Sequence, residues 1–208
     1  MTRLVLVRHG EAQAYLDQVV AGEKGCSGLS DLGRRQAEAL FARLQRTSEL
    51  ADTTALYASV LPRAIETASI IAPALGGHAI VEDCDLCELH PGDADGLLWD
   101  DYRATYAVEP WEPDRPMAPG GESWVGFVER VAGALQSLVA RHPDDTVVVG
   151  CHGGVIIGSM LTGLGLPVVD GGQFRIGPEN TSLTEWLVDG DTWRLIRYND
   201  HAHLADVH

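Results

Sequence analysis

Two runs of the chain are almost wholly apolar and then stop at the same kind of polar group. Leu4-Val5-Leu6-Val7 ends at Arg8-His9-Gly10, and Val147-Val148-Val149-Gly150 ends at Cys151-His152-Gly153. Short, unbroken, β-branched runs of this kind predict strands covered on both faces. Between them the period changes. After Ser30, the residues Ala37, Leu40, Phe41 and Leu44 recur at three and four, which predicts an amphipathic helix capped by that serine. Trp124, Phe127, Val128, Val131, Leu135 and Leu138 predict a longer helix, capped by Ser123 and closing near Arg141-His142-Pro143. Smaller elements are expected as a strand over 55–58, a helix from Pro62 to residue 72, a strand near 79–81 and an apolar helix from Gly153-Gly154. Two alternating strands, 182–188 and 192–198, close the chain about a turn at Asp189-Gly190.

Strands that alternate with helices and finish in a hairpin predict an α/β fold. It is a three-layer αβα domain with a mostly parallel central sheet, antiparallel only at an edge. A chain of 208 residues suits one such domain, spanning 1–208. Regularity is expected to fail over 10–29, 90–121 and 201–208. The 90–121 segment holds five prolines together with Trp99 and Trp111, and reads as a lid-like insertion. The last segment, with three of the eight histidines, reads as a frayed tail.

Charge narrows the partners. Thirty acidic residues against 15 basic give a net charge of −15, with no basic stripe for nucleic acid or an anionic membrane to dock on. The greasiest stretch, 153–169, is broken by Ser159, Thr162, glycines and Pro167, and falls short of a membrane span. No basic region followed by a long apolar run marks a signal peptide, so a cytoplasmic location is expected. Cys84 and Cys87 form an isolated C-x-x-C with no second pair to complete a zinc site, and Cys151 adjoins His152. The expectation for all four cysteines is the reduced, mostly buried state, and no metal.

The two strand ends carry the chemistry. Both put a histidine just past a buried strand, with glycine after it, where open α/β sheets bind ligands. A third unit places Arg63 at the start of a helix after the 55–58 strand. If these strands are neighbours, Arg8, Arg63, His9 and His152 converge on one crevice. Two guanidiniums can each grip phosphate oxygens bidentately, and the helix N-termini add N–H groups that favour an anion. That is a phosphoryl pocket, and in so acidic a chain its local positive charge has to overcome the surrounding field.

The chain resembles the histidine phosphatase superfamily, which includes the cofactor-dependent phosphoglycerate mutases. Six segments carry the resemblance in order: Arg8-His9-Gly10-Glu11, residues 29–37, residues 59–68 around Arg63, residues 86–92 around Glu88, Gly120-Gly121-Glu122-Ser123-Trp124 and residues 151–156 around His152. The resemblance implies His9 as the nucleophile that becomes phosphorylated and Glu88 as general acid and then base. It implies Arg8, Arg63 and His152 as holders of the phosphoryl oxygens, with no metal and no cofactor. Glu11 and Asn180 are further candidates for hydrogen-bonded support of the pocket, and Glu66 for a helix-surface role. Tyr15 stands where many relatives carry asparagine, and the loop 21–27 departs from the usual polar pattern, which bears on substrate choice.

The short chain and its acidic middle segment favour a metal-independent phosphomonoesterase acting on a small phosphorylated metabolite over a bisphosphoglycerate-dependent mutase, which tends to be longer and basic there. A non-catalytic phosphate- or phosphopeptide-binding module ranks lower, because nucleophile and acid are both retained. A phosphohistidine-protein phosphatase ranks lower too, because the 90–121 segment and Glu88 are present. Trp99, Tyr102, Tyr106 and Trp111 are expected to pack the lid onto the domain rather than line a leaving-group site. The physiological substrate, the oligomeric state (a homodimer included) and the facing of Cys26 are left open by the sequence.

Overall fold

A computed structural model describes residues 1–168 and 176–207. Among these, six strands form one sheet: β1 (Thr2–Arg8), β2 (Ala55–Ala58), β3 (Ile80–Glu82), β4 (Thr146–Cys151), β5 (Leu183–Asp189) and β6 (Thr192–Asp200). Their spatial order is β3-β2-β4-β1-β5-β6. The first four in that order run parallel, whereas β5 and β6 pair antiparallel at the edge. Six α-helices accompany them: α1 (Gln13–Leu16), α2 (Asp31–Thr47), α3 (Pro62–Ile71), α4 (Trp99–Thr105), α5 (Trp124–Arg141) and α6 (Gly153–Gly163).

Alternation along β1 divides the core between the two faces of the sheet, as the period-two geometry of a strand requires. Leu4 and Leu6 join Val147 and Val149 beneath α5 and α6, against Phe127, Val131, Leu135, Ile156 and Trp186. Val5 and Val7 join Val148 on the other face, against Leu40 and Leu44 of α2 and Ala68 and Ile71 of α3. The expected three layers are therefore present. Both helix caps are present too: Ser30 Oγ accepts from the Gly33 amide at 3.0 Å and Ser123 Oγ from the Gly126 amide at 3.1 Å. Each contributes about 1 kcal/mol by the usual scale of such caps.

Four expectations need correction. The 10–29 segment is not wholly irregular: it contains the single turn of α1, too short to show a period in the sequence. The 90–121 segment is not structureless: it contains a 3-10 turn (Gly92–Ala94) and α4. Asp100 and Asp101 in the first turn and Arg103 in the last complement the dipole of α4, but its seven residues are too few for a period to read from sequence. The segment also has a small core of its own. Ala94 and Ala118 bury with Val20, and Leu97, Trp99, Tyr102, Tyr106 and Met117 pack around them. The hairpin turn falls one residue later than expected, on Gly190-Asp191, because β5 runs on to Asp189 and Gly190 takes φ +56°. The tail is docked rather than frayed as far as it is described. A 3-10 turn (Ala202–Leu204) puts His203 Nε2 at 2.8 Å from Thr181 Oγ1. His208 and residue 169 of the 153–169 stretch lie outside the described residues, among which no helix is long and apolar enough to cross a membrane.

Candidate active site

Register assembles the site. In the parallel ladder between β1 and β4, Arg8 lies opposite Cys151, so the residues that follow, His9 and His152, leave the sheet side by side. The His9 amide donates to the Cys151 carbonyl at 2.9 Å, which extends the pairing by one residue. On the other side of β4, Ala58 lies opposite Gly150, and the Ser59 amide donates to the Gly150 carbonyl at 3.0 Å. Pro62 then opens α3 and Arg63 follows in its first turn. The four residues expected to converge do so at the carboxyl ends of three adjacent strands.

Glycine permits the close approach of β1 to α2. A Cβ on Gly10 would lie 2.4 Å from the Gly33 carbonyl oxygen, and one on Gly33 would lie 2.1 Å from that of Glu11. Neither position admits a side chain without moving backbone.

The His9 ring is buried and polarised. Its Nδ1 lies 2.6 Å from the Gly10 carbonyl oxygen, which can only accept, so Nδ1 carries the proton and Nε2 keeps its lone pair. Arg63 Nε donates to that Nε2 at 3.2 Å, and Arg63 Nη1 donates to the Ala21 carbonyl at 3.0 Å. Behind the ring, Asn180 Nδ2 donates to the His9 carbonyl at 2.9 Å. Thr67 Oγ1 accepts from the Gly10 amide at 3.1 Å and donates to the Arg63 carbonyl at 2.8 Å, linking the two strand ends. Burial, with Arg63 and Arg8 adding repulsion, holds the His9 imidazole well below its ordinary pKa.

His152 is fully buried and meets His9 edge to face, at 5.1 Å between ring centroids. Its Nε2 lies 2.7 Å from Ser59 Oγ. Its Nδ1 has no hydrogen-bond partner among the described residues, and neither has Arg8 Nε. Buried polar atoms are seldom left so, and two together point to an oxygen-rich ligand. Burial again dominates, with Arg63, His9 and Arg8 adding to it, and keeps His152 well below the usual histidine range. Burial likewise lowers the pKa of Arg8, partly offset by Glu88, and Arg8 Nη1 donates to the Pro178 carbonyl.

Glu88 reaches the same crevice from the loop after β3. Its Oε2 accepts from the Gly154 amide at 3.0 Å, and its Oε1 from the Leu89 amide at 3.2 Å. A Cβ on residue 154 would stand 2.0 Å from Glu88 Oε1, so a side chain there would displace the carboxyl group. The loop is fixed by Arg130, which donates to the carbonyls of Asp85 and Cys87 at 2.8 and 3.2 Å and to Glu122 at 2.7 Å.

Other candidates fall outside the crevice. Glu11 accepts from the Ser30 hydroxyl at 2.7 Å, and Glu66 from the Leu29 amide at 2.8 Å and Arg34 Nε at 2.6 Å, so both anchor the first loop to helices. Cys26 is buried against Leu61 and Cys87. Tyr15 is exposed. Trp99, Tyr102 and Tyr106 pack the insertion, whereas Trp111, expected to do the same, is exposed; all four line a cavity of about 310 Å³ beside Trp124. Ser59, Thr67 and Arg130 are the contributors that sequence reasoning gave no role. Ser59 and Thr67 flank Arg63 in its own motif, but nothing in the sequence says where their hydroxyls point.

A model of the histidine phosphatase superfamily (branch 1) matches residues 4–201. The phosphoglycerate mutase-like protein 4 of Arabidopsis thaliana is 32% identical over 210 residues, covering 98% of this chain and 87% of its own. The metal-independent phosphoserine phosphatase of the same plant is also 32% identical, over 215 residues, covering 100% of this chain and 85% of its own. In three dimensions, Bacillus stearothermophilus YhfR superposes with a TM-score of 0.83 at 32% identity, covering 98% of this chain and 100% of that one. On its folding pattern and on these similarities, the chain belongs to the histidine phosphatase superfamily.

Proposed function

We propose that the protein hydrolyses a small phosphomonoester by way of a phosphohistidine on His9. The observation that carries this is the state of the pocket: His9 Nε2 keeps its lone pair beside Arg63, while His152 Nδ1 and Arg8 Nε are buried without partners among the described residues. A phosphoryl group supplies what both sets lack. Its oxygens accept from Arg8, Arg63 and His152, and its phosphorus faces the His9 lone pair. Arg63 Nε, which donates to His9 Nε2 in the free protein, redirects that hydrogen bond to the incoming oxygens.

The chemistry then divides into two displacements. His9 Nε2 attacks phosphorus in line, the P–O bond to the leaving group breaks, and protonated Glu88 gives its proton to the departing oxygen. Glu88, now a carboxylate, takes a proton from water as that water attacks the phosphohistidine, and inorganic phosphate leaves with His9 restored. Positive charge on Arg8 and Arg63 and the His152 N–H stabilise the equatorial oxygens through both steps, the main lever in phosphoryl transfer. No step calls for a metal ion.

Small phosphorylated metabolites such as phosphoserine fit an acidic protein with a local cationic pocket. The relative named a phosphoserine phosphatase supports that class, and the acidic insertion counts against a mutase. The test is release of phosphate from an aryl phosphate and from phosphoserine with excess chelator, by the wild type and by His9→Ala. Chelator-resistant release that disappears in His9→Ala is expected. Conversion of 3-phosphoglycerate to 2-phosphoglycerate faster than its hydrolysis would replace this reading with a mutase.

A further inference from the structure

The loop that brings Glu88 to the site also carries three ligand-type side chains that the phosphoryl chemistry leaves unused. The ligating atoms of Cys84, Cys87 and His90 all lie within 4.8 Å of one another, with His90 Nε2 at 3.6 Å from Cys84 Sγ. In a tetrahedral centre with Zn–S bonds of about 2.3 Å and Zn–N bonds of about 2.0 Å, neighbouring ligand atoms stand roughly 3.5–3.8 Å apart. The three groups therefore need only a slight closure to hold one ion. The isolated C-x-x-C, which lacked a second pair in the sequence, finds its third ligand three residues on.

The surroundings match those of a built site. His90 Nδ1 lies 3.4 Å from Glu122 Oε2. A carboxylate on one ring nitrogen fixes the tautomer and leaves the other nitrogen free to coordinate, the usual arrangement around a metal-bound histidine. Glu122 is itself gripped by Arg130, whose second set of N–H groups ties down the Asp85 and Cys87 carbonyls. Cys84 is exposed and Cys87 buried, so an ion can enter from solvent and be held at depth.

The geometry points to a binding site for a thiophilic divalent cation, zinc foremost, on Cys84, Cys87 and His90 with water in the fourth place, regulating the neighbouring phosphoryl pocket. Each thiol loses its proton to solvent as its sulfur binds the ion, with no change of oxidation state. The link to the pocket is short. Cys87 Sγ lies 3.2 Å from Ser59 Oγ, and Ser59 Oγ lies 2.7 Å from His152 Nε2. Ser59 Oγ also accepts from the Leu61 amide at 3.2 Å, and its one proton has two neighbours: it donates to Cys87 Sγ, or, when the thiol turns its own S–H toward Ser59, to His152 Nε2, which leaves an Nδ1–H for phosphate. A metal-bound thiolate can only accept. The serine O–H then turns to sulfur, His152 presents its N–H to Ser59, and Nδ1 meets phosphate with a lone pair instead of a proton. Occupancy of the site is thus expected to weaken phosphate binding.

The test uses the full chain, reduced and stripped of metal, titrated with Co²⁺ and then Zn²⁺. One Co²⁺ per chain is expected, with an intense near-ultraviolet thiolate-to-cobalt band that one Zn²⁺ abolishes and that Cys84→Ser and His90→Ala lack. In parallel, Zn²⁺ should raise the wild-type KM for an aryl phosphate, and the Kd for inorganic phosphate, about tenfold while changing kcat less. Cys84→Ser should keep the metal-free values with or without zinc. A cobalt complex without the thiolate band, or one that survives in Cys84→Ser, overturns the site whether or not the protein proves to be a phosphatase. A filled site with unchanged phosphate affinity overturns the link through Ser59. Inhibition by zinc that persists in Cys84→Ser assigns the ion to the catalytic histidines and also overturns the proposal.

Discussion

The imidazoles of His9 and His152 stand edge to face, 5.1 Å apart between centroids and inclined by 61°. Both are buried, and Arg8 and Arg63 flank the pair, so a further positive charge on either ring is opposed by burial first and by the guanidiniums second. Neutral rings are what the proposed attack needs from His9, and they are expected to persist in mildly acidic solution. Proton NMR of the ring resonances checks this. The signals of His9 and His152 should hold their neutral positions as pH falls through 6.5, the ordinary histidine value, while an exposed histidine titrates there. Titration of either ring near 6.5 would remove the basis for a preset nucleophile.

Ser59→Ala removes the hydroxyl between Cys87 and His152. The substitution leaves a buried ring nitrogen unserved, a loss on the order of 1–3 kcal/mol in stability. It also frees His152 to turn away from phosphate. The expected result is a melting temperature lowered by a few degrees and a KM raised roughly tenfold, with kcat changed less. Ser59→Thr, which keeps the hydroxyl, should recover most of the affinity. A variant that loses stability but keeps its KM would confine Ser59 to the fold.

Gly154→Ala places a methyl group where Glu88 now sits, 2.0 Å from its Oε1. Displacing the acid by about 1 Å can cost on the order of 10²-fold in kcat. The double variant Gly154→Ala/Glu88→Gln tests the cause. If the methyl acts through Glu88, it should cost little more once the carboxyl group is gone. Additive losses would trace the effect to crowding of Phe127, whose ring tip also lies 2.9 Å from the built methyl.

Acid should loosen the fold through the same buried histidines. His203 is pushed down to about 4, chiefly by burial, and His9 and His152 also lie below 6.5 in the folded chain. The unfolded chain therefore binds protons first as pH falls, and the stability these groups contribute is whole above about 6.5. For His203 it is lost progressively between 6.5 and about 4. Denaturant midpoints measured across that window should fall with pH. His203→Gln should flatten the fall, because it removes one of the groups responsible.

The parts of the fold read from sequence are those written in repeated local patterns. Val5 and Val7 belong to one face and Leu4 and Leu6 to the other, and both faces are apolar because both are covered. Arg8, His9, Arg63 and His152 are legible as a group because each ends or follows a strand, and parallel neighbours present their ends together. What the sequence hid depends on tertiary approach. No spacing rule tells that Arg130, midway along α5, reaches the loop that carries Glu88, or that His90 turns back on Cys84. The docking of His203 beside Thr181 was hidden for the same reason, since a short polar tail carries no pattern that names its partner.

The most direct measurement is to trap the phosphorylated enzyme. Brief mixing with ³²P-labelled phosphoester in the presence of chelator, followed by denaturing quench, should leave label on the protein that survives alkali, is released by acid and maps to the peptide containing His9. His9→Ala should carry none, and its turnover should fall by about 10⁴-fold or more, the scale of losing a nucleophile. Label on another residue, or rapid chelator-resistant turnover by His9→Ala, would contradict a phosphohistidine route through this site.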